Sequence, residues 1–125
     1  MTQFDPDPTA AGILVEGLED AVVVRLRGEH DLASAPLVSR TIEPLLAPGG
    51  RPLVIDLAET TFIDSSILHA LLAARRRAVE AHVPLGLAIG SHDAVRNVLE
   101  LTNLLGQFTW GITASELRPL LATRM

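Results

Sequence analysis

Apolar residues along the chain fall into short runs of two-residue period, separated by longer stretches of helical period. Ile13–Val15 and Ala21–Leu26 form the first two runs. In the second, Val22, Val24 and Leu26 take one side of the alternation and Val23 and Arg25 the other, the period of a β-strand. Gly17 to Asp20 supplies the Gly and Asp of a turn, so the pair predicts a hairpin. The stretch Gly28-Glu29-His30-Asp31 breaks the alternation and reads as a loop leading into a helix. Val38, Ile42, Leu45 and Leu46 recur at helical spacing, with Asp31 or Ser34 as cap and Pro36 near the first turn. Pro44 removes a hydrogen bond and collides with the preceding turn, which predicts a kink or an early end. Pro48-Gly49-Gly50 closes the segment.

Leu53-Val54-Ile55, rich in β-branched residues, predicts a buried central strand. A loop containing Phe62 and Ile63 then runs to Asp64-Ser65-Ser66. A helix is expected from Ser65 to about Ala81, with Leu68, Leu71, Leu72, Arg75 and Val79 facing the core and Asp64, Ser65 or Ser66 as cap. His82 to Pro84 ends it. Leu85, Leu87 and Ile89 alternate as another strand, closed by Gly90-Ser91. Ser91 or Asp93 caps a helix carrying Val95, Val98 and Leu99, and Gln107 to Trp110 offers a short edge strand. Phe108 and Trp110 are expected to pack at that edge. Ala114 to about Ala122 completes the chain as a helix that contains Pro119.

The order β-β-α-β-α-β-α-(β)-α without internal repeats is that of an α/β fold. It predicts a single-domain mixed, mostly parallel sheet of four to five strands, with an N-terminal hairpin and about four helices. Residues 1–11, with Pro6, Pro8 and two aspartates but no apolar period, read as a flexible leader, and residues 12–125 as the domain. If the second strand, first helix and third strand form one crossover, the carboxyl ends of both strands share an edge. Gly28–Asp31 and Asp64-Ser65 then become neighbours at the edge where open α/β sheets usually bind. Ser65 stands there at a helix N-terminus, whose free N–H groups favour an anion.

Composition narrows the function. A length of 125 residues fits one domain. The formal net charge of −5 argues against direct nucleic-acid binding. Without cysteine there is neither a disulfide, nor a thiolate metal site, nor a cysteine nucleophile. No apolar run approaches the roughly 20 residues of a membrane span. The N-terminus is acidic where a secretory signal is basic, so a cytoplasmic protein without membrane contact is expected. His30, His82 and His92 are expected on surface loops.

Leu53-Val54-Ile55-Asp56-Leu57 followed by Phe62-Ile63-Asp64-Ser65-Ser66 resembles the core motif of the STAS domain, the family of anti-sigma factor antagonists. Gly28-Glu29-His30-Asp31-Leu32 resembles that family's second element, and the order of elements agrees over nearly all of the chain after the leader. The resemblance implies no enzyme and no cofactor, but a phosphorylation-controlled partner switch that regulates transcription. Its phosphoacceptor falls on Ser65. The unphosphorylated protein would bind an anti-sigma factor that is also a serine kinase, and a metal-dependent serine phosphatase would reset the switch; ATP and magnesium belong to the kinase. The implied contact surface comprises Glu29, His30, Asp31, Phe62, Ile63, Asp64, Ser65, Ser66, Ile67 and His69. The chain departs from the family where Gly-Leu-Gly is common and Ile67-Leu68-His69 stands instead; a branched Ile67 is expected to alter the partner surface or disable the switch.

Phosphoserine carries about −1.5 to −2 charges at neutral pH. A unit charge about 5 Å away, such as that of Asp64, costs roughly 3 kcal/mol at an effective dielectric near 20, before salt screening. The helix end returns only about 0.3–1 kcal/mol. Arg75-Arg76-Arg77 begins about 15 Å along the helix from Ser65 and reads as a solvated helix end. His69, four residues on, lies on nearly the same face as Ser65 and could partly compensate the phosphate when protonated. Ser65, His30 and an aspartate could in principle form a nucleophilic site, and His30, Asp31 and Asp64 could hold a hard cation; no motif supports either. The main alternative is a STAS-like scaffold subunit of a transporter or signalling complex, without phosphorylation.

Overall fold

The computed structural model describes residues 12–123; the expected leader at 1–11 lies outside them. Five strands build one sheet: β1 (Ile13–Gly17), β2 (Val22–His30), β3 (Leu53–Ile63), β4 (Leu85–Ala88) and β5 (Thr109–Gly111). They lie in sequence order, with β1 antiparallel to β2 and all other pairs parallel. Four helices connect and follow them: α1 (Ala35–Ile42), α2 (Ser65–Ala81), α3 (Asp93–Leu101) and α4 (Ala114–Ala122). The expected α/β architecture, hairpin included, is present.

Strand order explains where the helices stand. From β2 to β5 every crossover steps in the same direction across the sheet, and crossovers of one hand then place their helices on one face. Val38 and Ile42 of α1, Ile67 and Leu71 of α2, and Val95 and Leu99 of α3 accordingly share one core with Val24, Leu26, Ile55, Leu57 and Leu87. The last helix, α4, covers the opposite face. There Leu117 and Leu121, both fully buried, pack on Val23, Val54 and Ala88. Full burial of each such leucine is worth about 1.5–3 kcal/mol, enough to hold a short helix in place. Its start is fixed by a capping box, in which the Thr113 side chain accepts from Glu116 N and the Glu116 side chain accepts from Thr113 N.

Three local expectations need correction. The stretches Gly28–His30 and 58–63, read as loops, are strand. β2 and β3 continue in parallel register past the core, with Glu29 opposite Phe62 and His30 opposite Ile63, through register shifts after Arg25 and Gly28. Thr60 Oγ1 donates to Leu26 O at 2.6 Å inside this extension. Polar residues and irregular register hide the two-residue period there. Secondly, the buried line of α2 is Ile67, Leu71, Ala74 and Ala78. Val79 is 62% exposed, and Arg75 reaches out to the carbonyl of Gln107; Ala74 and Ala78 face the core in the second half of the helix, while Leu68 and Leu72 pack against it in part. Thirdly, Trp110 packs at its edge only in part, and Arg96 lies over its ring at 5.6 Å. Pro44 does end α1 early: Glu43–Leu46 tightens into a 3-10 turn.

Gly90, just after β4, has φ +67°, and a Cβ there would meet Ala58 Cα at 2.7 Å. Gly90→Ala therefore adds both backbone strain and an overlap with main chain, and is expected to destabilise the fold by at least about 2 kcal/mol. The midpoint of urea unfolding measures this.

Candidate functional site

The shared carboxyl edge of β2 and β3 holds the two motifs together. β3 ends at Ile63, and Asp64 follows in extended conformation as the N-cap of α2. Its Oδ1 accepts from Ser66 N at 2.9 Å and Ile67 N at 3.3 Å. Its Oδ2 accepts from Leu32 N at 3.1 Å, across 32 residues of sequence. Of the three residues that could cap α2, the carboxylate does so, which leaves Ser65 exposed on the first helical turn.

The turn between β2 and α1 is built around Asp31 and Ser34. Asp31 Oδ1 accepts from Ala33 N at 2.9 Å, and Ser34 Oγ accepts from Asp31 N at 3.1 Å. His30 sits beneath this turn and is fully buried. Its Nε2 lies 3.0 Å from Arg27 O and its Nδ1 3.1 Å from Ser34 Oγ. A carbonyl can only accept, so Nε2 carries a proton.

The predicted contact residues thus divide. Glu29, Phe62, Ser65 and His69 are exposed, and Asp31, Asp64 and Ser66 are partly so. His30, Ile63 and Ile67 are buried, which corrects their assignment as contact residues and that of His30 as a surface-loop histidine. Their role is support from below. Ile67 in particular points into the core rather than toward a partner, so its branched side chain does not alter the outer face as expected. Leu32, 73% exposed, joins this surface although it is not among the expected contact residues: it lies in the Gly28–Leu32 motif, but no periodicity marks an apolar residue on a turn. With Phe62, 48% exposed, it gives this edge an apolar component among the carboxylates of Glu29, Asp31 and Asp64.

The same geometry weighs on the catalytic alternatives. Both nitrogens of His30 are engaged within the turn, with Ser34 and Arg27 rather than Ser65 as partners. Among the described residues, no three His, Asp or Glu side chains gather as metal ligands. The nearby ion pairs are structural. Arg25 bridges Asp56 at 3.1 Å and Glu16 at 3.3 Å on the sheet face. The hydrogen bond to Asp56 holds the Arg25 guanidinium above its ordinary pKa, against the opposing effect of burial. Arg77 pairs with Glu43 of the 3-10 turn, so the arginine-rich end of α2 is engaged elsewhere.

Comparison with known proteins agrees with this architecture. The family model described as "Mlab, STAS domain" matches residues 13–113. The chain belongs to the STAS-domain family. Among solved structures it is similar to an anti-sigma factor antagonist from Mycobacterium paratuberculosis, at 28% identity and a TM-score of 0.79, over 87% of this chain and 92% of that one. It is also similar to an anti-sigma-factor antagonist (STAS) domain protein from Planctomyces limnophilus, at 20% identity and 0.74, over 88% and 97%. A third likeness is to the Bacillus cell fate determinant SpoIIAA in its phosphorylated form, at 22% and 0.64, over 83% and 94%. No curated protein gives a significant sequence match. Among the described residues no helix is long and apolar enough to cross a membrane.

If His30 is a strut, its loss shows in stability. His30→Leu keeps the bulk but removes the imidazole from Arg27 O and one of the partners of Ser34 Oγ, and is expected to cost about 1–3 kcal/mol. Equilibrium unfolding in urea reads this directly.

Proposed function

We propose that this chain is an anti-sigma factor antagonist that acts in the cytoplasm as a partner switch, with Ser65 as its phosphoacceptor. The carrying observation is the position of Ser65: exposed on the first turn of α2, next to the capping Asp64, in a STAS domain whose carboxyl edge also presents Leu32 and Phe62. Unphosphorylated, this edge docks on an anti-sigma factor that is also a serine kinase, and the sigma factor is released. The kinase transfers the γ-phosphoryl group of ATP: the bond from the γ-phosphorus to the bridging oxygen of ADP breaks, a bond to Ser65 Oγ forms, and the hydroxyl proton leaves to a base or to water. A metal-dependent serine phosphatase hydrolyses the ester and restores the hydroxyl.

The physics favours release on phosphorylation. The added group carries about −1.5 to −2 charges and stands beside Asp64 on an edge already rich in carboxylates. A carboxylate of a docked partner held about 5 Å from the added charge would be repelled by roughly 3 kcal/mol before salt screening, which is more than a hundredfold in affinity. The buried position of Ile67 supports this reading, since its branched side chain adds no bulk to the outer face. A second reading, a STAS scaffold subunit of a transporter or signalling complex that is never phosphorylated, draws support from His69, an exposed imidazole where the family commonly has glycine.

Incubation with a kinase-type anti-sigma factor and ATP, followed by phosphate mapping by mass spectrometry, separates the two. Modification at Ser65 that Ser65→Ala abolishes is expected; none with any such kinase leaves the scaffold reading. In binding assays Ser65→Asp is expected to weaken the anti-sigma complex about 100-fold, and Ser66→Ala much less.

A further inference from the structure

We infer that Asp64 couples Ser65 to the β2–α1 turn, so that a phosphate on Ser65 unhooks Leu32 from α2. The inference rests on the reading of Ser65 as phosphoacceptor and adds the route by which the modification reaches residues it does not touch.

The Asp64 carboxylate holds two things at once: the start of α2, through Ser66 N and Ile67 N on Oδ1, and the turn, through Leu32 N on Oδ2. The other bonds of the turn are internal or lead down to His30. Ala33 N binds Asp31 Oδ1, Ser34 N binds Asp31 O, Asp31 N binds Ser34 Oγ, and Ser34 Oγ meets His30 Nδ1. Among the described residues, the bond from Leu32 N to Asp64 is the hydrogen bond that ties this turn to α2. In hydrogen bonds the turn meets α2 at this one latch, apart from the packing of α1 on α2 in the shared core.

A phosphate on Ser65 Oγ competes for that latch. Ser65 is the first residue of α2, and the amides that Asp64 now occupies belong to the next two residues, Ser66 and Ile67. Phosphate brings about −1.5 to −2 charges and three acceptor oxygens against the single charge of Asp64, so the helix end favours it. Two anions cannot share the two amides, and the carboxylate turns away. Its two oxygens move together, so Oδ2 leaves Leu32 N when Oδ1 leaves the helix. Leu32, the most exposed apolar side chain on this edge, then loses its fixed position, and a partner that docks on Leu32 and Phe62 meets altered shape as well as added charge. Simple repulsion requires no such movement.

The test is nuclear magnetic resonance on the full chain with phosphoserine installed at position 65 by genetic encoding, which needs no kinase. The Leu32 amide proton is expected to shift upfield and to exchange about tenfold faster, the loss of one charge-assisted hydrogen bond, while the Ala33 amide, held by Asp31, keeps its shift. Asp64→Asn without phosphate is expected to produce the same Leu32 change, because the amide oxygen can still cap α2 while its nitrogen cannot accept from Leu32 N. Unchanged resonances from β3 and β4 verify that both proteins are folded. A Leu32 amide that keeps its shift and exchange rate in the phosphoserine protein overturns the inference, as does one unmoved in Asp64→Asn. Partner release with Leu32 unmoved leaves repulsion as the mechanism; a Leu32 response without partner release would instead remove the proposed function and leave the latch standing.

Discussion

Parallel pairing between β2 and β3 does not stop where the hydrophobic core stops. It runs on to His30 and Ile63, through two register shifts, and so carries two polar motifs side by side beyond the packed helices. Everything at the functional edge depends on that extension. The turn after His30 and the cap after Ile63 start from neighbouring strand ends, and only because they do can one carboxylate, Asp64, reach both Leu32 N and the amides of α2. A hydrogen bond spanning 32 residues of sequence is thus the product of strand register, not of local chain geometry.

Support and display are divided between alternate residues of the same short motifs. His30, Ile63 and Ile67 turn inward, where the imidazole satisfies a carbonyl and a hydroxyl and the isoleucines fill the core; Glu29, Phe62 and Ser65 turn outward. A buried imidazole without partners would be costly, and here both nitrogens have one. The floor of the site is therefore held by packing and satisfied polar groups, while the outer residues stay free of structural duty. Such a division leaves the outer residues open to change without loss of the core.

Charge gives the edge its sensitivity. Its carboxylates stand without a nearby arginine cluster, since Arg75 is bonded to Gln107 O and Arg77 to Glu43, both away from the first turn of α2. Added negative charge there meets neither of these two arginines as a counterion. By contrast, the arginine of the sheet face, Arg25, is neutralised by Asp56 and Glu16 and holds strands together.

The alternation of Val22, Val24 and Leu26, the helical span from Ser65 to Ala81, the break at Pro44 and the α/β order were legible in the chain itself, because each is a local periodicity or a local steric rule. So was the approach of the two motifs, since a right-handed crossover requires it. What stayed hidden was every property set by contacts distant in sequence. The strand character of Gly28–His30 and Thr60–Ile63 comes from register rather than alternation. The inward turn of Ile67 and His30 depends on which face the neighbouring elements cover, and the exposure of Leu32 depends on a turn anchored by Asp64. Local sequence determined the elements and marked Ser65 as the candidate phosphoacceptor; the tertiary structure alone decided which side chains of the edge are exposed, because burial is a property of the assembled layers and not of any one segment.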